Sequence, residues 1–147
     1  KINLKDKSKV KTSRCGVEPI PFNEVFDLIY SRDTIYYLTD EEIKFFFYDA
    51  VKKIKENGII LIQFIERDLR LQSQNPEEDF DFTLFQNAHL EKIFNNENPI
   101  RFLSSKELIN NAKSFDLNLI ASKRMIQSYD LHEERFRLDR YLAFRKI

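Results

Sequence analysis

Ser31-Arg32-Asp33 is the cluster in this 147-residue chain whose residue types and position best suit ligand chemistry. The three polar groups follow Phe26-Asp27-Leu28-Ile29-Tyr30, a compact apolar run broken by Asp27. Its length and β-formers predict a buried parallel strand over 26–30. In open α/β sheets, ligands bind beyond the carboxyl ends of the strands, at the switch point. The same residues also suit a plain turn carrying an Arg–Asp pair. Elsewhere the chemistry thins out. His89 and His132 lie in unrelated polar surroundings, with no second His or Cys at metal-ligand spacing. Cys15 has Arg14 beside it, which favours a thiolate, yet no predicted element brings a base there, and a structural or surface thiol suits it as well. Glu77, Glu78, Asp79 and Asp81 read as a solvated acidic loop rather than a catalytic pair.

The elements that must position the cluster are legible from their caps and periods. Thr39 and Glu42 form a capping box. Ile43, Phe46, Phe47, Ala50, Val51 and Ile54 follow as one helical stripe, predicting a helix over 40–56. Acids at its start and Lys52, Lys53 and Lys55 near its end match the macrodipole. Asn57-Gly58 is the expected stop. Phe45 and Tyr48 fall off the stripe and give the helix a second, partly apolar side. Ile59 to Ile65 is apolar on both faces apart from Gln63, as in the middle of a covered parallel sheet. Strand 26–30, helix 40–56 and strand 59–65 make a βαβ unit. Residues 66–100 form a long lid-like insertion, polar, then acidic, then rich in Phe. Ser104 with Glu107 is a second capping box, opening a helix to about Ser114. Strands follow at Leu117–Ser122 and Arg137–Arg145. Toward the front, Lys9 to Ser13 could form a short edge strand, and Pro19 and Pro21 interrupt regular structure. The basic residues of 1–14 read as a solvated terminus or as an arm for an anionic partner.

Composition narrows the function classes. Lys plus Arg and Asp plus Glu both count 24, so the formal net charge is zero, which argues against binding nucleic acid by bulk charge. A single Cys excludes an internal disulfide and a multi-cysteine zinc site. Two glycines, Gly16 and Gly58, stand too far apart for a phosphate-cradling loop. No apolar run approaches the ~20 residues of a membrane span, and no secretory h-region follows Lys1. A cytoplasmic, soluble protein is the expectation.

Residues Phe26 to Asp33 resemble the fourth-strand motif of class I S-adenosylmethionine-dependent methyltransferases. Leu38-Thr39-Asp40, the amphipathic helix and Ile54-Lys55-Glu56-Asn57-Gly58-Ile59-Ile60-Leu61-Ile62 resemble the helix, glycine turn and fifth strand that follow. The helix from Ser105 and the last two strands are similar to the end of that fold, with its sixth strand and antiparallel seventh. The resemblance covers about residues 9–147 and is carried by the order of the motifs. It implies an α/β fold: a partial doubly wound, Rossmann-like sheet, mostly parallel with an antiparallel last strand. The chain would be the C-terminal portion of a single methyltransferase domain.

The resemblance also implies a site. S-adenosylmethionine would be the cofactor, with Cys15 and Gly16 on its adenine side and Ser31 and Arg32 at its methionine end. Ser31-Arg32-Asp33 with Ile35 is similar to phosphoethanolamine methyltransferases, where the Asp holds the substrate amine; Tyr37 stands where those enzymes carry a catalytic His. Asp33 and Tyr37 are therefore the catalytic candidates, with Tyr36 and Glu66 in the substrate pocket. The wording of Leu38-Thr39-Asp40 and Asn57 to Ile60 also looks like protein N-terminal methyltransferases. The acceptor would be a small molecule or an amine. The family's first strand, glycine-rich loop and ribose-gripping acid would precede Lys9 and are absent from this sequence. Strand 26–30 would then have an open edge, to be completed by a preceding segment or a partner chain. The alternative is a catalytically silent methyltransferase-like subunit or scaffold.

Overall fold

The computed structural model describes residues 10–13, 18–66, 103–130 and 135–146. Strand β1 spans Phe26–Arg32 and a single 3₁₀ turn spans Ile35–Tyr37. Helix α1 covers Asp40–Lys53 and strand β2 covers Ile54–Ile65. Helix α2 spans Ser105–Lys113, and strands β3 and β4 span Leu117–Asp130 and Arg135–Lys146. The sheet order is β1-β2-β4-β3.

Both helices begin at the predicted capping boxes. The Thr39 hydroxyl accepts from the Glu42 amide while the Glu42 carboxylate takes the Thr39 amide; Ser104 and Glu107 repeat the arrangement on α2. Two orphan donors are satisfied at each start, so the sequence fixes these boundaries locally. The stripe of α1 is buried at Ile43, Phe46, Phe47 and Ala50. It packs against the sheet face carrying Ile60, Ile62, Phe64, Leu142 and Phe144, and Leu108 and Ala112 of α2 join the same core. Phe47 sits at its centre, edge-on to Phe144 at 5.9 Å and stacked on Phe115 at 6.3 Å.

The end of α1 differs from the expected stop at Asn57-Gly58. The helix closes at Lys53, and Ile54 is already extended (φ −93°, ψ 139°) and paired with Phe26. Two non-local contacts decide this. Ile54 is buried, and the Lys146 ammonium on β4 donates to the Val51 and Ile54 carbonyls at 3.0 and 3.5 Å, supplying the cation that a helix C-terminus favours. Residues 55–58 then bulge out of the β1–β2 ladder, with Asn57 at φ 61°, before regular pairing resumes at Leu28↔Ile59. A Cβ on Gly58 would stand 2.6 Å from Ile54 Cγ1 and 2.9 Å from the Lys55 carbonyl oxygen. Gly58→Ala is therefore expected to destabilise by about 1–3 kcal/mol, measured by urea denaturation; an unchanged midpoint would contradict this account of the bulge.

The ladders correct the expected sheet. β1 pairs with β2 in parallel, but β2–β4 and β4–β3 are antiparallel. The sheet is mixed rather than mostly parallel, because β4 inserts between β2 and β3 and its one reversed course turns two ladders antiparallel. Both described helices cover one face, so the second helical layer of a doubly wound sheet is not among the described residues. β1 is longer than the expected 26–30 and takes in Ser31 and Arg32. It is also less buried than expected: β1 lies at the edge of the described sheet, with Leu28 48% and Tyr30 45% exposed. Residues 10–13 are irregular rather than an edge strand. Of the expected 66–100 insertion only Glu66 is described; the rest, and His132, lie outside the described residues.

Candidate functional site

The sequence run Phe26–Arg32 alternates its side chains across the sheet. Register places Tyr30 beside Leu61 and Arg32 beside Gln63, on the face away from the helices, while Ser31 pairs with Ile62 on the helix-covered face. A groove of about 460 Å³ runs along this strand, lined by residues 11–13, by Phe22 and Phe46, and by Leu28, Tyr30, Ser31, Arg32 and Thr34. Its floor is apolar and its carboxyl end polar, the pattern of a small-molecule site.

Ser31 is the polar group this groove leaves unexplained. It is 5% exposed, and its Oγ is buried with no hydrogen-bond partner among the described residues. A buried hydroxyl without a partner costs roughly 1–3 kcal/mol, so Ser31 has a hydrogen bond to offer at this site. Arg32 extends outward, with its side chain 69% exposed and its Nε 3.5 Å from Asp33 Oδ2. Thr34 donates its hydroxyl to the Arg32 carbonyl at 2.8 Å.

Asp33 leaves the strand in the left-handed region at φ 51°, a conformation that Asp and Asn accept better than other residues. Its amide still donates to the Gln63 carbonyl at 3.2 Å, so the backbone is tied to β2 where the side chain turns away from the sheet. Tyr37 is 36% exposed and its ring lies 4.6 Å from that of Tyr36. Tyr36 is 2% exposed; its expected pocket position gives way to the core. The turn Thr34 to Leu38 is closed by 3₁₀ bonds, and that tight geometry points successive tyrosines into different environments. Cys15 and Gly16 lie outside the described residues.

Glu66 also departs from its expected place in a substrate pocket. It follows β2, bridges to Leu103, and is buried. Arg140 grips it through Nε at 3.0 Å and Nη2 at 2.7–2.8 Å, Arg124 Nε reaches it at 2.9 Å, and the Ser105 hydroxyl donates to it as well. Burial pushes this carboxyl up, but the Arg140 and Ser105 hydrogen bonds and the two guanidinium charges outweigh burial and hold it below the usual carboxylate range. Its oxygens are committed to joining β2, β3, β4 and α2.

A second polar chain crosses the opposite face. The Tyr30 hydroxyl donates to Gln63 Oε1 at 2.6 Å, and Gln63 Nε2 donates to Asp139 Oδ2 at 3.1 Å. Gln63 and Asp139 are 3% and 0% exposed. Sequence reasoning isolates Gln63 as the polar residue of an apolar strand but gives it no partner, because Asp139 is 76 residues away. Among the described residues no cluster of His, Cys, Asp and Glu could hold a metal ion, and no helix is long and apolar enough to cross a membrane.

The described sheet and its two helices share the fold of solved S-adenosylmethionine-dependent methyltransferases. A structure described as S-adenosylmethionine-dependent methyltransferases, from Methanosarcina mazei, is similar with a TM-score of 0.59 at 10% identity, over 86% of this chain and 63% of that one. An S-adenosylmethionine-dependent methyltransferase from Clostridium acetobutylicum matches with a TM-score of 0.54 at 16% identity, over 85% of this chain and 60% of that one. Magnesium protoporphyrin IX methyltransferase from Synechocystis PCC 6803, with bound S-adenosylhomocysteine, matches with a TM-score of 0.55 at 9% identity, over 86% and 47%. The chain thus spans about half to three-fifths of the length of these structures. No protein-family model and no curated protein matches the sequence.

Proposed function

We propose that this chain is the C-terminal portion of a cytoplasmic S-adenosylmethionine-dependent methyltransferase that acts on a small-molecule or amine acceptor. The observation that carries the reading is the unpartnered, buried Ser31 hydroxyl in the groove at the carboxyl end of β1. The residues present fit the amino-acid end of the cofactor. Ser31 offers a hydroxyl that both donates and accepts, and the exposed Arg32 guanidinium suits a carboxylate. When bound, S-adenosylmethionine supplies a methyl group on a positively charged sulfur. The contribution of the chain is positioning. Asp33, turned out of the sheet by its left-handed backbone, orients the acceptor and accepts a hydrogen bond from its N–H or O–H. Tyr37 flanks it on the turn. Cys15 and Gly16 are assigned to the adenine side on the sequence resemblance alone.

Ser31→Ala separates this site from ordinary packing. Removing an unpartnered buried hydroxyl should leave the melting temperature of the protein unchanged or raise it by a few degrees. The same change should weaken S-adenosylmethionine about tenfold, one hydrogen bond's worth. Calorimetric titration and thermal shift of the protein containing this chain measure both. Absence of heat and of any thermal shift at millimolar cofactor in the parent would overturn the reading.

A silent subunit is the second reading, favoured by the exposed Leu28 and Tyr30 on the edge strand. An edge of this kind can be covered by another strand, from a preceding segment or from a partner chain. Cofactor binding by the complete protein separates the two readings.

A further inference from the structure

Residues Pro19 to Phe22 form a strap against α1, and Ile20 and Phe22 of this strap line the groove. Among the described residues, no main-chain to main-chain hydrogen bond ties 18–25 to the sheet or to a helix. Two side chains of α1 hold the strap instead. The Ile20 amide donates to Asp49 Oδ2, and the Lys53 ammonium donates to the Phe22 carbonyl at 2.6 Å. Pro19 and Pro21 have no N–H, so the Ile20 amide is the one main-chain donor of that tripeptide, and Asp49 takes it. A residue before proline is held extended, which straightens the strap at Ile20. The spacings match. Asp49 and Lys53 stand four residues apart on one helix face, a rise of about 6 Å. Ile20 and Phe22 stand two residues apart in extended chain, about 6.6 Å. Asp49 is 8% exposed. A buried carboxylate is costly unless it is bonded, and the bond it makes here goes to the groove wall. The strap also carries its neighbours. The Phe22 ring meets Phe26 edge-on at 5.8 Å. Lys11, another lining residue, pairs with Glu24 and stands 5.4 Å from the centre of the Phe22 ring.

We propose that Asp49 and Lys53 are positioning residues that pin the Pro19–Phe22 strap through its main-chain atoms and thereby set the width of the groove for S-adenosylmethionine. Neither side chain lines the groove, so both act through the strap and not on the ligand. The inference rests on the methyltransferase reading for the identity of the ligand, and the pinning of the strap is testable without cofactor.

The first measurement follows the strap by NMR in the protein containing this chain, without cofactor. Asp49→Ala should speed hydrogen exchange of the Ile20 amide about tenfold and weaken the nuclear Overhauser contacts between the Phe22 and Phe26 rings. Asp49→Asn keeps an oxygen acceptor and should hold both close to the parent. The second measurement is calorimetric titration with S-adenosylmethionine. Asp49→Ala and Lys53→Met should each weaken binding about tenfold, while Asp49→Asn and Lys53→Arg stay within about threefold of the parent. The Asp49→Ala, Lys53→Met double variant should bind little worse than either single variant, because both act through one strap. Lys53→Met with its Lys53→Arg rescue covers the case in which Asp49→Ala fails to fold. Unchanged Ile20 exchange in Asp49→Ala would overturn the pin. Parental affinity in Asp49→Ala or in Lys53→Met, or an Asp49→Asn protein that binds as weakly as Asp49→Ala, would overturn the positioning role. Failure of the methyltransferase reading is seen separately, as a parent that binds no S-adenosylmethionine while its Ile20 exchange still depends on Asp49.

Discussion

Asp33→Asn in the complete protein is expected to lower turnover by ~10²–10³, about 2.7–4 kcal/mol of transition-state stabilisation, while the melting temperature stays within a few degrees of the parent. Three features separate rate from folding here. Asn accepts the left-handed φ of 51° as Asp does. The Asp33 amide is tied to the Gln63 carbonyl of β2, and the substitution keeps that bond. The pair with Arg32, 3.5 Å long with an exposed guanidinium, contributes about 0–1 kcal/mol to stability. What the substitution removes is the negative charge that would orient an amine acceptor. Steady-state kinetics and a thermal melt decide the matter. Near-parental turnover would remove Asp33 from the chemistry, and a large fall in melting temperature would make it structural.

Glu66→Gln should do the reverse, with its effect on folding. The carboxylate is buried and receives Arg140 through two nitrogens, Arg124 and Ser105. An amide would turn N–H groups toward guanidinium N–H groups and leave the Arg140 charge, 15% exposed, uncompensated. Breaking a buried pair from one side costs about 3–5 kcal/mol, or roughly 10 °C in melting temperature for a domain of this size. Replacing Glu66 and Arg140 together by Met should recover much of the loss, because no buried charge is then left uncompensated; Arg124, the other partner, has its side chain 56% exposed. The pH dependence follows from the lowered carboxyl. The group binds a proton more readily unfolded, near 4.5, than folded. Its stabilisation is therefore complete above that value and is lost as pH falls through the lower folded pKa. Urea unfolding from pH 7 to 3 should show a steeper acid loss in the parent than in Glu66→Gln. Parallel curves would mean that the Arg clamp does not stabilise the charged form.

Several parts of this molecule were determined by sequence alone, and they share a cause. The starts of α1 and α2 depend on pairs three residues apart, Thr39 with Glu42 and Ser104 with Glu107, whose bonds close within one turn. The buried stripe of α1 and the apolar course of β2 depend on periods of 3.6 and 2, which local backbone geometry imposes. The order of those elements was enough to indicate the methyltransferase fold. Tertiary structure decided whatever depends on a residue far along the chain. Lys146 and Phe26 ended α1 at Lys53, where local signals pointed to Asn57-Gly58. The insertion of β4 beside β2 made two of the three ladders antiparallel. It also brought Arg140 to Glu66 and Asp139 to Gln63, taking one acid out of the pocket and giving a lone buried amide its partner. Ser31 shows the same division. Its type and place at the end of a strand are read from sequence, but that its hydroxyl is buried without a partner among the described residues is a property of the folded chain. Hydrogen-bond balance in a buried site is a sum over the surrounding chain, and no local pattern carries it.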